Sequence, residues 1–461
     1  MHFKGRTVVV LGLGLTGLSL ARWLTRHGAR VRVADTRETP PNAEALSAEL
    51  PDVPLETGPF SPSTFAGAQM IAISPGVAKD QPAIRAAVAE GVELVGDVEL
   101  FARALPGGQK VIAITGTNGK TTVTTLAGEL ARAEGLSTVV AGNIGSAVLD
   151  ALAHHEAHAS WPDLFVLELS SYQLETTSSL HAAAATVLNV SPNHLDRYAG
   201  VADYAAAKAS IFANAAVQVL NRDDPIVRLM RLRGRTVQTF GASVPSSAEE
   251  WGFVRRADGE WLARGGELIA PLSSLALVGR HNALNALAAL ALVCAVTDIG
   301  APSREVLGRF HGLAHRMQRI AEERGILFVN DSKGTTVAAT QAALAGIGRP
   351  VILIAGGDAK GQSFVPLRPA VDGACKAVLL IGRDAPLLEK GLSGTTARVE
   401  SSGTLDSAVA RAFELAAPGD AVVLSPACAS LDQFASYGER GERFATLVRE
   451  RLNEVGSCAS A

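Results

Sequence analysis

The chain has 461 residues, 48% of them hydrophobic and 19% charged, which makes it too long for one hydrophobic core and too apolar for a disordered protein. At about 150 residues per domain, three units are expected. Lys and Arg number 42 against 45 Asp and Glu, so the formal charge of -3 gives no global basic field for nucleic acid or anionic lipid, and any anion site has to be local.

In chain order, short apolar runs alternate with helical stretches: strands at Thr7 to Leu11, Val31 to Ala34 and Met70 to Ile73, with a helix from about Gly17. Such alternation predicts a parallel α/β sheet. Past Pro106 to Gly108 a second block begins, with strands at Val111 to Ile114, Leu164 to Glu168 and Thr186 to Val190, and a helix beginning near Lys120. Shorter strands are expected at Val217 to Leu220 and Val237 to Phe240, before an Ala/Leu-rich helix from Asn282. From about Leu313 the pattern restarts with Leu327 to Asn330, Val351 to Ala355, Ala377 to Ile381 and Ala421 to Leu424, a third α/β unit. The small-residue tail from Gly456 to Ala461 is expected to fray.

Four cysteines (Cys294, Cys375, Cys428 and Cys458) stand apart with no CxxC pair, which fits a reducing cytosol and argues against a disulfide framework or a zinc cluster. The longest apolar stretch, Ala283 to Val296, is broken by Asn285 and falls short of the ~20 residues of a membrane span.

Ligands in open parallel sheets collect at the carboxyl ends of strands, and those ends carry the unusual residues. Gly12-Leu13-Gly14-Leu15-Thr16-Gly17, with Asp35 at the next strand end, has the strand-loop-helix context of a dinucleotide fingerprint. Its physical content is a backbone that approaches a diphosphate and an acid that accepts from a sugar hydroxyl, so NAD and a UDP-sugar satisfy it equally. Thr115-Gly116-Thr117-Asn118-Gly119-Lys120-Thr121-Thr122 resembles a shortened P-loop: successive amides wrap a β-phosphate, Lys120 neutralises β/γ oxygens, and Thr121 offers a hydroxyl to Mg2+. Glu168, at a strand end before Leu169-Ser170-Ser171-Tyr172-Gln173, reads as a metal carboxylate or as an acid facing water. His194, in Asn189-Val190-Ser191-Pro192-Asn193-His194-Leu195-Asp196-Arg197-Tyr198, is a candidate ligand for a second cation, with a structural histidine as the plain alternative. Lys208, within Ala205 to Ala209, reads from its surroundings as a solvated helical lysine. His154, His155 and His158 lack an HExxH pattern and read as a surface, loop-like cluster.

Taken together and in this order, TGTNGKTT, LELSSYQLE, NVSPNHLDRY, GRHNALNALAAL, NDSKGTT, GGDAKG and SPACASLDQF resemble the Mur ligase family across essentially the whole chain. The GLGLTG loop and Asp35-Thr36-Arg37 are similar to its glutamate-adding branch. The resemblance implies a Rossmann-like domain over 1–98, a central P-loop ATPase-like parallel-sheet domain over 99–312 and a Rossmann-like α/β domain over 313–461.

It also implies roles. Leu15, Thr16, Asp35, Thr36, Arg37 and Gly76 would bind the uridine diphosphate of UDP-N-acetylmuramoyl-L-alanine, with Asn143, Ser170 and Gln173 near its muramoyl-alanine arm. ATP would be bound by Gly116 to Thr122 and by Asn282, Asn285, Arg316, Asp331 and Lys333. Two Mg2+ ions would be held by Thr121, Glu168, His194 and Lys208, the last matching the family's carbamylated lysine. Lys120, Glu168, His194 and Lys208 would carry the catalysis. Thr335, Lys360, Ser430, Leu431 and Tyr437 would meet glutamate. Two positions depart from the family pattern: Tyr437 stands in place of Phe, and Ala359 interrupts GGDGK.

The implied chemistry is physically coherent. A carboxylate is a poor electrophile, so ATP converts it to an acyl phosphate that the glutamate amine attacks. Bringing two anions together demands cations and the Lys120 ammonium. The expectation is a cytoplasmic monomer, free of nucleic-acid partners and membrane insertion. A ligase with another amino-acid acceptor, or an NAD-dependent dehydrogenase resting on the first fingerprint alone, are the competing readings.

Overall fold

The computed structural model describes residues 3–194, 197–277 and 279–458, with the side chains of the last helix through residue 454. The chain divides into two compact units: Met1–Ile269 with Asn285–Val306, and Ala270–Leu284 with Leu307–Ala461.

The first unit opens with five parallel strands, β1 (Thr7–Leu11), β2 (Arg30–Asp35), β3 (Leu55–Thr57), β4 (Met70–Ile73) and β5 (Glu93–Val95), in the order β3-β2-β1-β4-β5. Val8 to Leu11 and Met70 to Ile73 are buried on both faces of the sheet, which is why they read as unbroken apolar runs. Strand order reverses between β1 and β4. The loops Gly12 to Gly14 and Ser74 to Val77 therefore flank a switch point, the position at which open α/β sheets bind their ligands.

Nine strands form the next sheet: β6 (Lys110–Thr115), β7 (Thr138–Gly142), β8 (Leu164–Glu168), β9 (Ala184–Val187), β10 (Val217–Asn221), β11 (Thr236–Phe240), β12 (Glu250–Arg256), β13 (Gly259–Arg264) and β14 (Glu267–Pro271). Their order is β14-β13-β12-β11-β10-β9-β6-β8-β7, parallel from β7 through β12 and antiparallel between β12 and β13. Here the switch point lies between β6 and β9, so the loop after β6 faces the loop after β9. The two sheets share one core. Trp23 and Leu24 of the helix Leu15–Arg26 belong to the same buried cluster as Leu149 and Leu152 of the helix Val148–His158. Ser19 Oγ donates to Asp150 at 2.8 Å and Trp23 Nε1 to Glu156 at 3.2 Å across this junction.

The second unit carries β15 (Gln318–Glu323), β16 (Ile326–Asn330), β17 (Val351–Gly356), β18 (Cys375–Ile381), β19 (Arg398–Gly403) and β20 (Ala421–Leu424), ordered β15-β16-β20-β17-β18-β19, with only β15 antiparallel among these pairings. The chain is thus α/β throughout, as expected.

Several expectations need correction. β9 ends at Val187, three residues before Val190, because the chain turns there to meet the P-loop. The His154, His155 and His158 cluster is helical rather than loop-like, forming the last turns of Val148–His158 beyond the apolar Val148 to Ala153. Among the described residues no group of three or more His, Cys, Asp or Glu is placed to hold a metal ion. The helix Tyr437–Cys458 extends into the tail expected to fray, and 459–461 lie outside the described residues. Among the described residues no helix is long and apolar enough to cross a membrane.

Candidate nucleotide and cation site

β6 feeds directly into the loop Gly116 to Gly119 and the helix Lys120–Ala133. Two glycines make the loop possible. Gly119 holds φ +82° at the helix N-terminus, and a Cβ there would lie 2.6 Å from Asn285 Oδ1; a Cβ on Gly116 would press on the Leu188 backbone. The loop after β9 braces it: Thr117 N donates to Asn189 O at 2.9 Å and Asn118 N to Asn189 Oδ1 at 2.8 Å, while Asn189 Nδ2 returns a bond to Asn118 O at 3.1 Å. Thr121 and Thr122 are buried in the first helical turn, at a helix N-terminus of the kind suited to phosphate.

Lys120 Nζ donates to Gly116 O at 2.9 Å and to Thr117 O at 3.0 Å. Lys208, on the helix Val201–Ala209, is fully buried, which overturns its reading as a solvated lysine. Its Nζ donates to Gly116 O at 3.0 Å and lies 4.5 Å from the centre of the Tyr204 ring. Burial and, next, the nearby Lys120 charge push its pKa down to about 7. An alanine-rich helix gives no clue to this, because only the tertiary packing that brings Lys208 to Thr115 and Gly116 decides which face is dry.

Glu168 closes β8 and is also buried. Asn143 Nδ2 donates to Oε1 at 3.0 Å, but Oε2 is buried without a hydrogen-bond partner. A carboxylate oxygen in that state is suited to a cation. His194 takes φ +55°, a strained conformation for a non-glycine residue, and its Nδ1 lies 2.7 Å from the Tyr172 hydroxyl. Tyr172, Tyr198 and Tyr204 surround it, three of the four tyrosines in the chain. Leu195 and Asp196 lie outside the described residues.

At the other switch point, Asp35 accepts from four donors: Leu13 N (2.6 Å) and Arg37 Nη2 (2.6 Å) on Oδ2, and Arg37 N and Nε (each 2.9 Å) on Oδ1. The Arg37 bonds, against the opposing effect of burial, hold its pKa down to about 2. Four donors on two carboxylate oxygens make Asp35 a brace for the Gly12 to Gly17 loop. Leu15, Thr36, Arg37 and Gly76 are exposed around it, with Thr16 half-buried. Ser170 and Gln173 cap the short helix Ser171–Leu174 reciprocally, and Gln173 Nε2 donates to the buried Asp97 at 3.1 Å.

In the second unit, Asp331 follows β16 and accepts from Ser425 Oγ at 2.7 Å and Met317 N at 3.2 Å; burial pushes its pKa up to about 7. Lys333 Nζ lies 5.0 Å from the Tyr437 ring centre. Lys360 (φ +46°), Leu431 and Tyr437 are exposed, Thr335 and Arg316 half-buried, and Ser430 and Asn282 buried. Beneath them the buried Arg440 donates to Ser332 Oγ and O, Cys428 O and Ala429 O, cross-linking the loops after β16 and β20.

Comparison with known proteins decides the family. The Mur ligase MurD-like N-terminal domain matches residues 6–96, the Mur ligase middle domain 114–293 and the Mur ligase glutamate ligase domain 315–428. The chain belongs to the Mur ligase family. Two relatives, the UDP-N-acetylmuramoylalanine--D-glutamate ligases of Nitrosospira multiformis and Methylobacillus flagellatus, are 49% and 51% identical, over 97% and 98% of this chain and 96% and 98% of theirs. Among solved structures, the UDP-N-acetylmuramate-alanine ligase MurC of Thermotoga maritima covers 96% of this chain and 99% of its own, at TM-score 0.55 and 18% identity, a likeness of fold.

For a Mur ligase, the sequence motifs locate the loops well but miss what stands behind them. Asn189, Arg197 and Glu175 lie inside motifs already recognised, without an evident task. Asp97 and Arg440 lie in none, since a buried charge is recognisable only from its surroundings.

Proposed function

We propose that this Mur ligase joins D-glutamate to UDP-N-acetylmuramoyl-L-alanine at the expense of ATP, through an acyl phosphate, in the synthesis of peptidoglycan precursors. The observation that carries this is the near-full-length identity of about half with D-glutamate ligases. The test is ADP release with UDP-N-acetylmuramoyl-L-alanine and a panel of D- and L-amino acids. Turnover with D-glutamate is expected, and none with any acceptor overturns the reading.

By this reading the three sheets correspond to domains over 1–98, 99–312 and 313–461. Gly116 to Thr122, with Asn282, Asn285, Arg316, Asp331 and Lys333, serve ATP. Leu15, Thr16, Thr36, Arg37 and Gly76 receive the uridine diphosphate on a loop that Asp35 holds in place, and Asn143, Ser170 and Gln173 stand toward the muramoyl-alanine arm. Thr335, Lys360, Ser430, Leu431 and Tyr437 receive glutamate, whose two carboxylates call for a cation and neutral donors. Thr121, Glu168, His194 and Lys208 as a carbamate would hold Mg2+, two ions in all, which when bound would neutralise the oxygens that meet in phosphoryl transfer. The orphaned Glu168 oxygen and the lowered pKa of Lys208, whose neutral amine is the form that takes up CO2, support that set. Lys120 orients and neutralises the transferred phosphoryl group. Free thiols at Cys294, Cys375 and Cys428 fit a cytoplasmic protein. We infer a monomer.

A further inference from the structure

Arg197 touches both substrate-facing regions of the first unit. Its Nη1 donates to Pro75 O at 3.1 Å, and its Nη2 donates to Val77 O at 3.4 Å and to Glu175 Oε2 at 2.9 Å. The loop it grips packs on the glycine fingerprint: Ser74 Oγ donates to Gly12 O at 2.9 Å, and a Cβ on Gly12 would come within 2.8 Å of Val77 Cγ2. Gly76, exposed between the two gripped carbonyls, is held in place by this contact.

On its other side the guanidinium lies 4.2 Å from the centre of the Tyr172 ring, whose hydroxyl bonds to His194 Nδ1 at 2.7 Å. Arg197 also belongs to the turn that follows His194, its own N–H donating to His194 O at 3.0 Å. Glu175 is held from the opposite side by the Tyr198 hydroxyl at 2.6 Å, and Tyr198 stacks on Tyr172. The ion pair is mostly dry, with side chains 15% and 8% exposed, so its geometry is not the loose one of a surface pair. A planar fork that donates along its edge and stacks on its face is a task lysine cannot perform.

We propose that Arg197 is a positioning residue that couples the Ser74 to Val77 loop, where the UDP moiety is placed, to the Tyr172–His194 pair at the cation site. The proposal rests on the function given above and names how its two substrate ends are held in register. Removing the fork frees the loop and lets Tyr172 drift from His194, so both binding and turnover suffer. Removing only the Tyr172 hydroxyl leaves the loop gripped.

The test separates these effects. The Kd of UDP-N-acetylmuramoyl-L-alanine is measured by calorimetry without ATP or Mg2+, alongside kcat and the KM for ATP. Arg197→Lys is expected to weaken Kd and to lower kcat, each by about tenfold, the loss of a charge-assisted contact, with the KM for ATP unchanged. Tyr172→Phe is expected to lower kcat and leave Kd as in the wild type. Arg197→Lys with wild-type Kd, or with weakened Kd but wild-type kcat, overturns the coupling, as does Tyr172→Phe that weakens Kd equally. If Arg197→Lys does not fold, Glu175→Gln, which weakens the ion pair that orients the guanidinium and with it the grip on the loop, takes its place; it is expected to weaken Kd and to lower kcat, and wild-type Kd and kcat in that variant overturn the proposal. Wild-type protein that neither binds the UDP-substrate nor turns over sinks the functional reading itself; wild-type turnover with an unaffected Arg197→Lys sinks only the coupling.

Discussion

Lys120 and Lys208 donate to the same carbonyl oxygen, Gly116 O, at 2.9 and 3.0 Å. Two ammonium groups sharing one neutral acceptor repel each other, and the buried one yields: Lys208 titrates near 7 chiefly because it is buried and then because Lys120 is beside it. Conversion of Lys208 to a carbamate would turn that repulsion into attraction.

Lys120→Ala is therefore expected to abolish ADP release, since nothing else in the loop carries its charge. Lys208→Ala should be nearly inactive and partly restored by formate or acetate, measured as ADP release. No recovery at any concentration of carboxylic acid argues against the carbamate.

The two loop glycines should respond differently to alanine. Gly119→Ala meets both a positive φ and Asn285 Oδ1, and should raise the KM for ATP by about tenfold or more, a cost in line with backbone strain of this kind. At Gly76 a Cβ meets nothing within 4 Å, so Gly76→Ala should leave the thermal midpoint unchanged while raising the KM for the UDP-substrate. An equal loss of midpoint in both variants contradicts this.

Asp97 offers a pH test. Its carboxyl is buried, with Oδ1 lacking a partner, and burial outweighs the Gln173 bond to raise its pKa to about 6. The folded state thus binds the proton more tightly than the unfolded one, so this group costs stability progressively as pH rises from about 4 to 6, and the cost is complete above 6. Asp97→Asn should stabilise the protein by roughly 3 kcal/mol at pH 8 and little at pH 4, read from denaturant midpoints. Equal effects at both pH values refute the assignment.

Asp35 has the opposite sign. Its lowered pKa contributes stability above about 4 that is lost as pH falls toward 2. Asp35→Asn cannot accept four bonds, so the glycine loop and Arg37 should loosen and the KM for the UDP-substrate should rise about tenfold. Its KM for ATP should stay at the wild-type value, as a steady-state assay would establish.

How much was legible in advance varies with the kind of residue. The strands β1, β4, β8 and β20 stand where their apolar runs place them, because strands buried on both faces carry the pattern in the chain itself. The antiparallel β12 and β13, and β15 at the edge of its sheet, escaped notice: half-exposed strands such as Glu250–Arg256 carry mixed residues and a weak period. In the candidate site, Gly119 and Lys120 are recognisable from their spacing, whereas the burial of Lys208 is not legible locally, because an alanine-rich turn is equally compatible with water and with a core.

The amino-acid order by itself determined the family, the three α/β blocks and the glycine-bearing loops at the strand ends, since those depend on local periodicity and on residues with special backbone freedom. Only the tertiary structure decided which charges are dry and what each one touches: that Asp35 braces a loop, that Glu168 keeps one oxygen unpartnered, that Lys208 shares an acceptor with Lys120, and that Arg197 joins two loops separated by some 120 residues. The reason is that desolvation and Coulomb interaction act through space. A residue's charge state is set by neighbours the chain brings to it from afar, and its adjacent residues do not encode them.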